Sequence, residues 1–447
     1  MKNKQLYILV LMLLLPLGSI AQTKIELSQV ACREMALAFS EDVQKSDNKL
    51  SQSQLDKKIA TTSFLPKVDA MGMGIYMTPL EMAGMGAEMR MDGAYMAGLT
   101  LTQPIYTGGK ILTGRKMSKI GEEAAQEQQR MTKMDVIVDA DNAYWTYLAV
   151  SRKVDMMKSY CAQMDTLYNQ TSTALPVGMA TQNDLMRIEA KRSELRYQLQ
   201  KVQNGADLCR ISLCRVIGAD YDTQIVLTDT IFTTTAPMSL SADISARPEL
   251  SLLQKSVDIN KQQIKMVRSD MLPMVALSAG YTYFGNIKME TMVDVGGGMY
   301  MPFTSEFKDG IGTAMLAVSI PILHWGEGFR KVKKARFDLE NAELELNKNS
   351  KLLSLQAEQA MRNMQDSYMM IETAQLALKQ AEENLRIMRN RYEQSMSPLT
   401  DLLDAQSQWQ QSYSNYIEAQ SQHKIYETEY LRATGNLEFL VVRCFAP

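Results

Sequence analysis

Histidine is almost missing from this chain: only His324 and His423 occur among 447 residues. Two imidazoles leave little material for a zinc site or a Ser/His triad. A P-loop, a dinucleotide fingerprint and a metal-hydrolase motif are absent as well, so neither an enzyme nor a cofactor is expected. The five cysteines (Cys32, Cys161, Cys209, Cys214, Cys444) are odd in number and show no CxxC spacing. They read as small buried apolar residues rather than a disulfide framework. Charge of one sign is not in excess, with 48 Lys and Arg against 50 Asp and Glu. The reading is that no basic run and no aromatic RNP-like motif occurs, so no nucleic-acid partner is expected.

Long apolar runs are confined to the start. Lys2 and Lys4 precede Leu6 to Leu17, and Ser19-Ile20-Ala21 stands before Gln22. That pattern predicts a signal peptide over 1–21 and an exported chain. No cysteine follows the cleavage site to serve as a lipobox.

Glycine and proline are missing from long stretches, and their rare appearances punctuate the chain. Residues 25 to 63 are polar and helix-prone until Leu65-Pro66 stops them. From Glu122 to Leu175, 54 residues carry neither Gly nor Pro, and from Phe329 to Ser397 there are 69. Such rods exceed what a compact domain needs. Between them lie short segments with a two-residue period, such as Leu99 and Leu101 among Thr100 and Thr102, which read as strands.

The punctuation repeats. Pro104 to Gly218 and Pro321 to Gly435 both span 114 positions, an offset of 217. Gly109 falls on Gly326, Asp184 on Asp401, and Ser395 takes the place of Gly178. A 3,4 seam runs through Leu353, Ala357, Ala360, Met364, Ile371, Ala374, Leu378, Ala381, Leu385 and Met388, with one gap at Ser367. Its counterpart is Val136, Ala140, Ala143, Tyr147, Val154, Met157, Cys161 and Met164. Seams of this length predict coiled-coil packing, and a duplicated chain.

The first copy (22–218) is read as a helix, strands at about 67–78 and 92–105, and a helical hairpin over 110–217. A linker region (219–246) contains the strand-like Gln224-Ile225-Val226-Leu227. The second copy (247–435) has a helix, strands at about 274–286 and 311–322, and a hairpin over 327–434. The remainder, 436–447, is a tail. The stretch from Phe284 to Lys308, with Gly296 to Gly298, reads as a loop.

Four strands cannot close a barrel, and open edges are not tolerated in lipid. Tyr76, Tyr95, Tyr106, Tyr281, Tyr283 and Trp325 flank the strands as aromatic girdles do. An outer-membrane barrel shared between subunits is therefore expected, with twelve strands from three chains. The competing class is a non-conducting envelope coiled-coil structural protein or adhesin.

Arg247-Pro248-Glu249-Leu250, the Q-P or I-P with its Gly turn, the long helices, the break at Gly178 and the stretch from Tyr392 to Ala405 together resemble the TolC family of outer-membrane channel-tunnels. The resemblance covers essentially the whole mature chain. It implies an α+β membrane protein, a homotrimer in outer-membrane lipid with a 12-stranded barrel, a periplasmic α-helical coiled-coil barrel and a small mixed equatorial region. Its function would be that of a passive exit duct for efflux or type I secretion. A periplasmic adaptor (membrane fusion) protein and an inner-membrane pump of RND or ABC type would be its partners.

The same resemblance puts a periplasmic gate at Asp401, Asp404, Tyr392, Asp184 and Ser397. Six aspartates in the trimer would attract cations. Tyr392 matches a family tyrosine and Asp184 the acid it faces on the neighbouring hairpin; Ser397 replaces a family arginine. Val177, Gly178, Met179, Ser395 and Met396 would be the adaptor-docking tips. Met71, Met73, Met77, Met82, Met85, Met89 and Met91 form a cluster that is read as adaptable filler ahead of a soft-metal path. By repeat alignment Val68 shares a face with the outward Val275, so Met71, Met73 and Met77 are expected to face the lumen. His324 is read as interfacial and His423 as a packing residue.

Overall fold

The structure, a computed structural model, describes residues 24–76, 87–88, 93–229, 232, 240–296 and 299–437. The leader, Cys444 and the methionines from Met77 to Met91 fall outside these residues. The first copy contains β1 (Lys24–Leu27), α1 (Gln29–Phe39), α2 (Glu41–Thr62), β2 (Lys67–Ile75), β3 (Ala87–Glu88), β4 (Ala94–Thr107), α3 (Lys110–Ala174) and α4 (Gln182–Ile217). Strand β5 (Gln224–Leu227) follows it. The second copy contains α5 (Pro248–Ser269), β6 (Met274–Asp294), β7 (Tyr300–Ser319), α6 (Glu327–Glu393) and α7 (Leu399–Ala433).

Duplication is visible in the backbone. Gly108 and Trp325 have φ of 62° and 49°, Gly109 and Gly326 85° and 78°, and Gly218 and Gly435 70° and 76°. Each pair lies at the offset read from the sequence. At Gly435 a Cβ would stand 2.4 Å from the Ala246 carbonyl oxygen, so only glycine closes that helix end.

Two compact units result, and neither is a single copy. One comprises Met1–Asp47, Gln128–Leu250 and Asn349–Pro447; the other comprises Asn48–Glu127 and Ser251–Lys348.

The first unit is built on the helical seam. Leu353, Ala357, Met364, Ile371, Leu378, Ala381 and Leu385 of α6 are buried, as are Ala140, Val154, Met157 and Met164 of α3. Small residues let the backbones close up, and larger ones fill the intervals. Ser367, the gap in the seam, is buried too, and its hydroxyl lies 2.9 Å from Nδ1 of His423 on α7. Tyr368 meets the imidazole edge-on.

A buried ionic hub ties three helices of this unit together. Asp141 on α3 is fully buried and receives the Arg33 guanidinium (Nε to Oδ1, 2.8 Å), the Gln29 amide (3.2 Å) and the Thr428 hydroxyl of α7 (2.6 Å). Burial disfavours the Arg33 charge, yet the hydrogen bond and charge of Asp141 hold its pKa above the ordinary value. Burial also pushes the neighbouring Cys32 thiol up to about 12, reinforced by Asp141, which fits an inert packing cysteine. Arg247 explains the Arg-Pro-Glu-Leu motif: its guanidinium is 2 % exposed and forks onto Glu249 while reaching Gln356 Oε1 at 3.2 Å. Burial works against the Glu249 charge, but Arg247 and then Arg432 hold that carboxyl below the usual range.

The reading of 25–63 as helix-prone misses two features. Lys24–Leu27 pairs in parallel with Gln224–Leu227 as a two-stranded sheet, and the helix is interrupted at Ser40. A four-residue strand with one partner is too short for periodicity to register.

The second unit holds an antiparallel sheet in the order β2-β4-β6-β7, with β3 pairing β6 beyond β4. Register sets its two faces. Val68, Leu101 and Ala279 stand in one row, and Leu99 and Tyr281 in the next, on the face that also holds Val275, Leu277, Leu316 and Val318. The other face carries Thr102 beside Ser278 and Asp69, Thr100 and Thr313, with Met71 and Met73 at one end. Val68 and Val275 thus share a face, and Met71 and Met73 lie opposite.

Strands β6 and β7 reach Asp294 and Tyr300, well past the expected ends near 286 and 311, so most of the expected loop is hairpin. The pairing shifts between Phe284 and Ile287 and then continues to Asp294 opposite Tyr300. Asn286 sits at this bulge with φ of 61°, and its amide donates to the Gly93 carbonyl at 2.8 Å. Cross-strand backbone pairing carries this extension, and the alternation that marks a half-buried strand does not reveal it.

His423 gives the first unit a pH dependence. Desolvation lowers its pKa below the ordinary 6.5; Glu427 opposes the shift and Lys424 adds to it. The folded state therefore favours the neutral ring. Its contribution to stability is full above pH 6.5 and is lost as pH falls through that value toward the depressed one. Thermal unfolding between pH 8 and 5 is expected to show this acid-side loss, and His423→Gln, which keeps a polar partner for Ser367 without the titration, is expected to flatten it.

A candidate gate at the helix-hairpin tips

Both hairpins in the first unit turn by the same bonds. At the first tip Gly178 N donates to Leu175 O (3.0 Å) and Met179 N to Ala174 O (3.0 Å). At the second, Ser395 N donates to Tyr392 O (2.9 Å) and Met396 N to Arg391 O (2.8 Å). The turn needs a left-handed residue. Gly178 meets this at φ 76°, and Ser395 adopts 56° against its side chain's preference.

Past the turn the tips diverge. Thr181 caps α4 in a capping box: its hydroxyl accepts from Asp184 N (3.1 Å), and the Asp184 carboxylate accepts from the Thr181 N–H (3.3 Å) and hydroxyl (2.6 Å). The equivalent cap of α7 is Pro398, which offers no side-chain bond. Asp401 occupies the same first-turn position as Asp184 without that partner, and Asp401 and Asp404 are both exposed. The Thr181-x-x-Asp184 spacing was readable as a cap, a role the sequence reading overlooked.

The hairpins pack on each other above the tips. Met157, Tyr160, Met164 and Leu167 of α3 and Ile188 and Leu195 of α4 share a core with Leu385 of α6 and Leu399, Leu402 and Ala405 of α7. Tyr392 packs against this core and lines a cavity of ≈ 200 Å³ with Gln163, Gln170, Arg389 and Gln406. Arg389 crosses between hairpins and donates to Gln163 Oε1 at 2.8 Å, a contact the sequence did not suggest. Ser397 and Gln406 each bury a side-chain oxygen that has no hydrogen-bond partner among the described residues. Val177, Met179 and Met396 lie open at 71, 85 and 66 % exposure.

Among the described residues, no cluster of three or more His, Cys, Asp or Glu is placed to hold a metal ion, and no helix is long and apolar enough to cross a membrane.

A family model described as "Outer membrane efflux protein" matches residues 32–219 and 240–436. The chain belongs to the outer membrane efflux protein family. It is an outer-membrane efflux channel, and the family model matches it in two separate segments. The channel is 20 % identical to outer membrane protein TolC of Vibrio cholerae serotype O1 over 346 residues, 76 % of each chain. Its fold matches crystal structures of CusC (TM-score 0.75, 15 % identity, 91 % of this chain and 92 % of that one) and of the Campylobacter jejuni CmeC outer membrane channel (0.74, 16 %, 92 % and 86 %).

Tyr392 and the turn residues Val177, Gly178, Met179, Ser395 and Met396 thus lie at the hairpin turns, with Asp401 and Asp404 exposed on α7. Asp184 is held in its own helix cap, and among the described residues Tyr392 makes no hydrogen bond to it. The turn predicts opposite outcomes at equivalent sites. Ser395→Gly is expected to raise stability by about 1 kcal/mol, and Gly178→Ala to lower it by about as much. Denaturant midpoints of the two variants check this.

Proposed function

We propose that this channel is the passive exit duct of a tripartite efflux pump or type I secretion system, assembled as a homotrimer and gated at the hairpin tips. The sheet carries the reading. Among the described residues β2 and β7 have no partner strand on their outer edges, and one sheet face is apolar while the other mixes Asp69, Thr100, Thr102, Ser278 and Thr313 with methionines. Unpaired backbone groups are not tolerated in lipid, so the edges must be completed by other copies. Three chains give twelve strands, with Leu99, Leu101, Leu277 and Leu316 toward lipid and the threonine face toward water. The helical unit of each copy contributes to a periplasmic tunnel.

At the tips, exposed Val177, Met179 and Met396, presented by the turn residues Gly178 and Ser395, are the docking points for a periplasmic adaptor. Asp401 and Asp404 form the gate's charged ring. Freedom from a cap partner leaves Asp401 available in a way that Asp184 is not. Tyr392 and the Arg389–Gln163 bond hold the second hairpin against the first, in place of the latch that Ser397 does not provide. Energy comes from the inner-membrane pump, of RND or ABC type.

Purified protein in a planar bilayer is expected to form discrete conducting channels with micromolar to millimolar block by multivalent cations. Asp401→Ala with Asp404→Ala is expected to weaken that block on the order of tenfold by removing like charge from a narrow aperture. Absence of any conductance would favour a non-conducting envelope protein, and unchanged block in a conducting variant would remove the two aspartates from the gate.

A further inference from the structure

Where β7 gives way to α6, at the sheet end shared by Thr107, Met274 and Ser319, the second unit carries an exposed basic and aromatic stripe. The sequence Phe329-Arg330-Lys331-Val332-Lys333-Lys334-Ala335-Arg336-Phe337 holds five cations and no acid. This basic run corrects the expectation that the chain contains none; acids elsewhere leave the chain as a whole nearly neutral. Val332 and Ala335 are buried, so the helix is seated by those two residues. Trp325, Phe329, Lys333 and Phe337 recur at every fourth position, which places the helical members on one face. The three aromatics are 82, 77 and 53 % exposed, and the Lys333 ammonium lies 5.8 Å from the Phe337 ring centroid.

Lys331 is neutralised by Glu327 at 2.7 Å. Arg330, Lys333, Lys334 and Arg336 make no ion pair among the described residues. Ile320, Ile322 and Leu323, at 58, 91 and 66 % exposure, continue the apolar character of the strand up to the stripe. The first copy repeats the theme at the equivalent positions: exposed Leu112 stands where Phe329 does, and exposed Lys116 and Lys119 where Lys333 and Arg336 do.

Exposed rings beside unpaired cations at the end of a membrane sheet match the chemistry of a lipid interface, where an aromatic body sits at headgroup depth and cations meet phosphate. We propose that this stripe binds the headgroups of anionic phospholipid in the leaflet at the helix end of the sheet. The stripe thereby fixes how deep the sheet sits. The proposal rests on the reading of the sheet as membrane-embedded. Charge complementarity selects the occupant: four unpaired cations would repel a second copy of the same stripe, whereas anionic headgroups neutralise them.

The test uses full-length protein in nanodiscs containing equal phosphatidylglycerol and phosphatidylcholine, extracted into mild detergent, with the retained lipid quantified by mass spectrometry. The wild type is expected to retain phosphatidylglycerol several-fold over phosphatidylcholine. Arg330→Gln, Lys333→Gln and Lys334→Gln together are expected to bring that ratio down to about one. The charge control Lys158→Gln with Lys201→Gln is expected to leave it intact.

Equal retention of the two lipids by the wild type overturns the proposal. So does a triple variant that keeps the preference, or one that loses subunit association while the lipid ratio is unchanged, which would make the stripe a protein contact. Loss of the preference in millimolar inorganic phosphate would reassign the stripe to free anions and likewise overturn it. Conductance of the same preparation separates the two readings: conducting protein with no lipid preference sinks this proposal alone, and non-conducting protein sinks the duct.

Discussion

A helix of sixty-five residues in water needs burial along its whole length, because intrinsic propensity contributes too little per turn to hold it. That constraint governs the first unit. Helices α3 and α6 answer it with a long 3,4 seam in which alanines let neighbours approach and leucines and methionines fill the remaining space. The seam is not purely apolar. The Arg33–Asp141–Thr428 hub and the Ser367–His423 contact set polar pairs into it, each satisfied internally. Such pairs give a slippery interface a register, since sliding by one turn would strand a buried charge or hydroxyl.

The long helices and their ends were legible because Gly and Pro are so rare that each one marks a boundary. The duplication was legible for the same reason, and the paired left-handed residues carry it into the backbone. The sheet's facing was legible as well: repeat alignment put Val68 with Val275, and cross-strand register does the same. What escaped was structure made by pairing rather than by periodicity. Strand β1 exists because β5 lies beside it, and the outer reaches of β6 and β7 exist because each hydrogen-bonds the other. Neither leaves a one-dimensional trace strong enough to read.

At the candidate gate, residue types and positions were legible, while their local commitments were not. Asp184 and Asp401 align in sequence and occupy the same helical position, yet one is consumed by a cap and the other is not. The difference follows from Thr181 against Pro398, a substitution that removes both a side-chain acceptor and an N–H. Ser397, notable at first for the arginine it replaces, instead buries a hydroxyl without a partner among the described residues. The basic stripe after β7 escaped for a different reason, since averaging over the chain cancels five cations against acids elsewhere.

Each compact unit takes segments from both copies of the repeat, and the pairing of β4 with β6 joins the copies edge to edge. A chain of half this length could complete neither unit alone and would have to find its other half in a second molecule. Fusion of two such halves turns an encounter between molecules into a connection within one. It also lifts a restriction: in a pair of identical chains every change at one tip is imposed on the other. Once joined, the threonine of one turn and the proline of the other were free to part company.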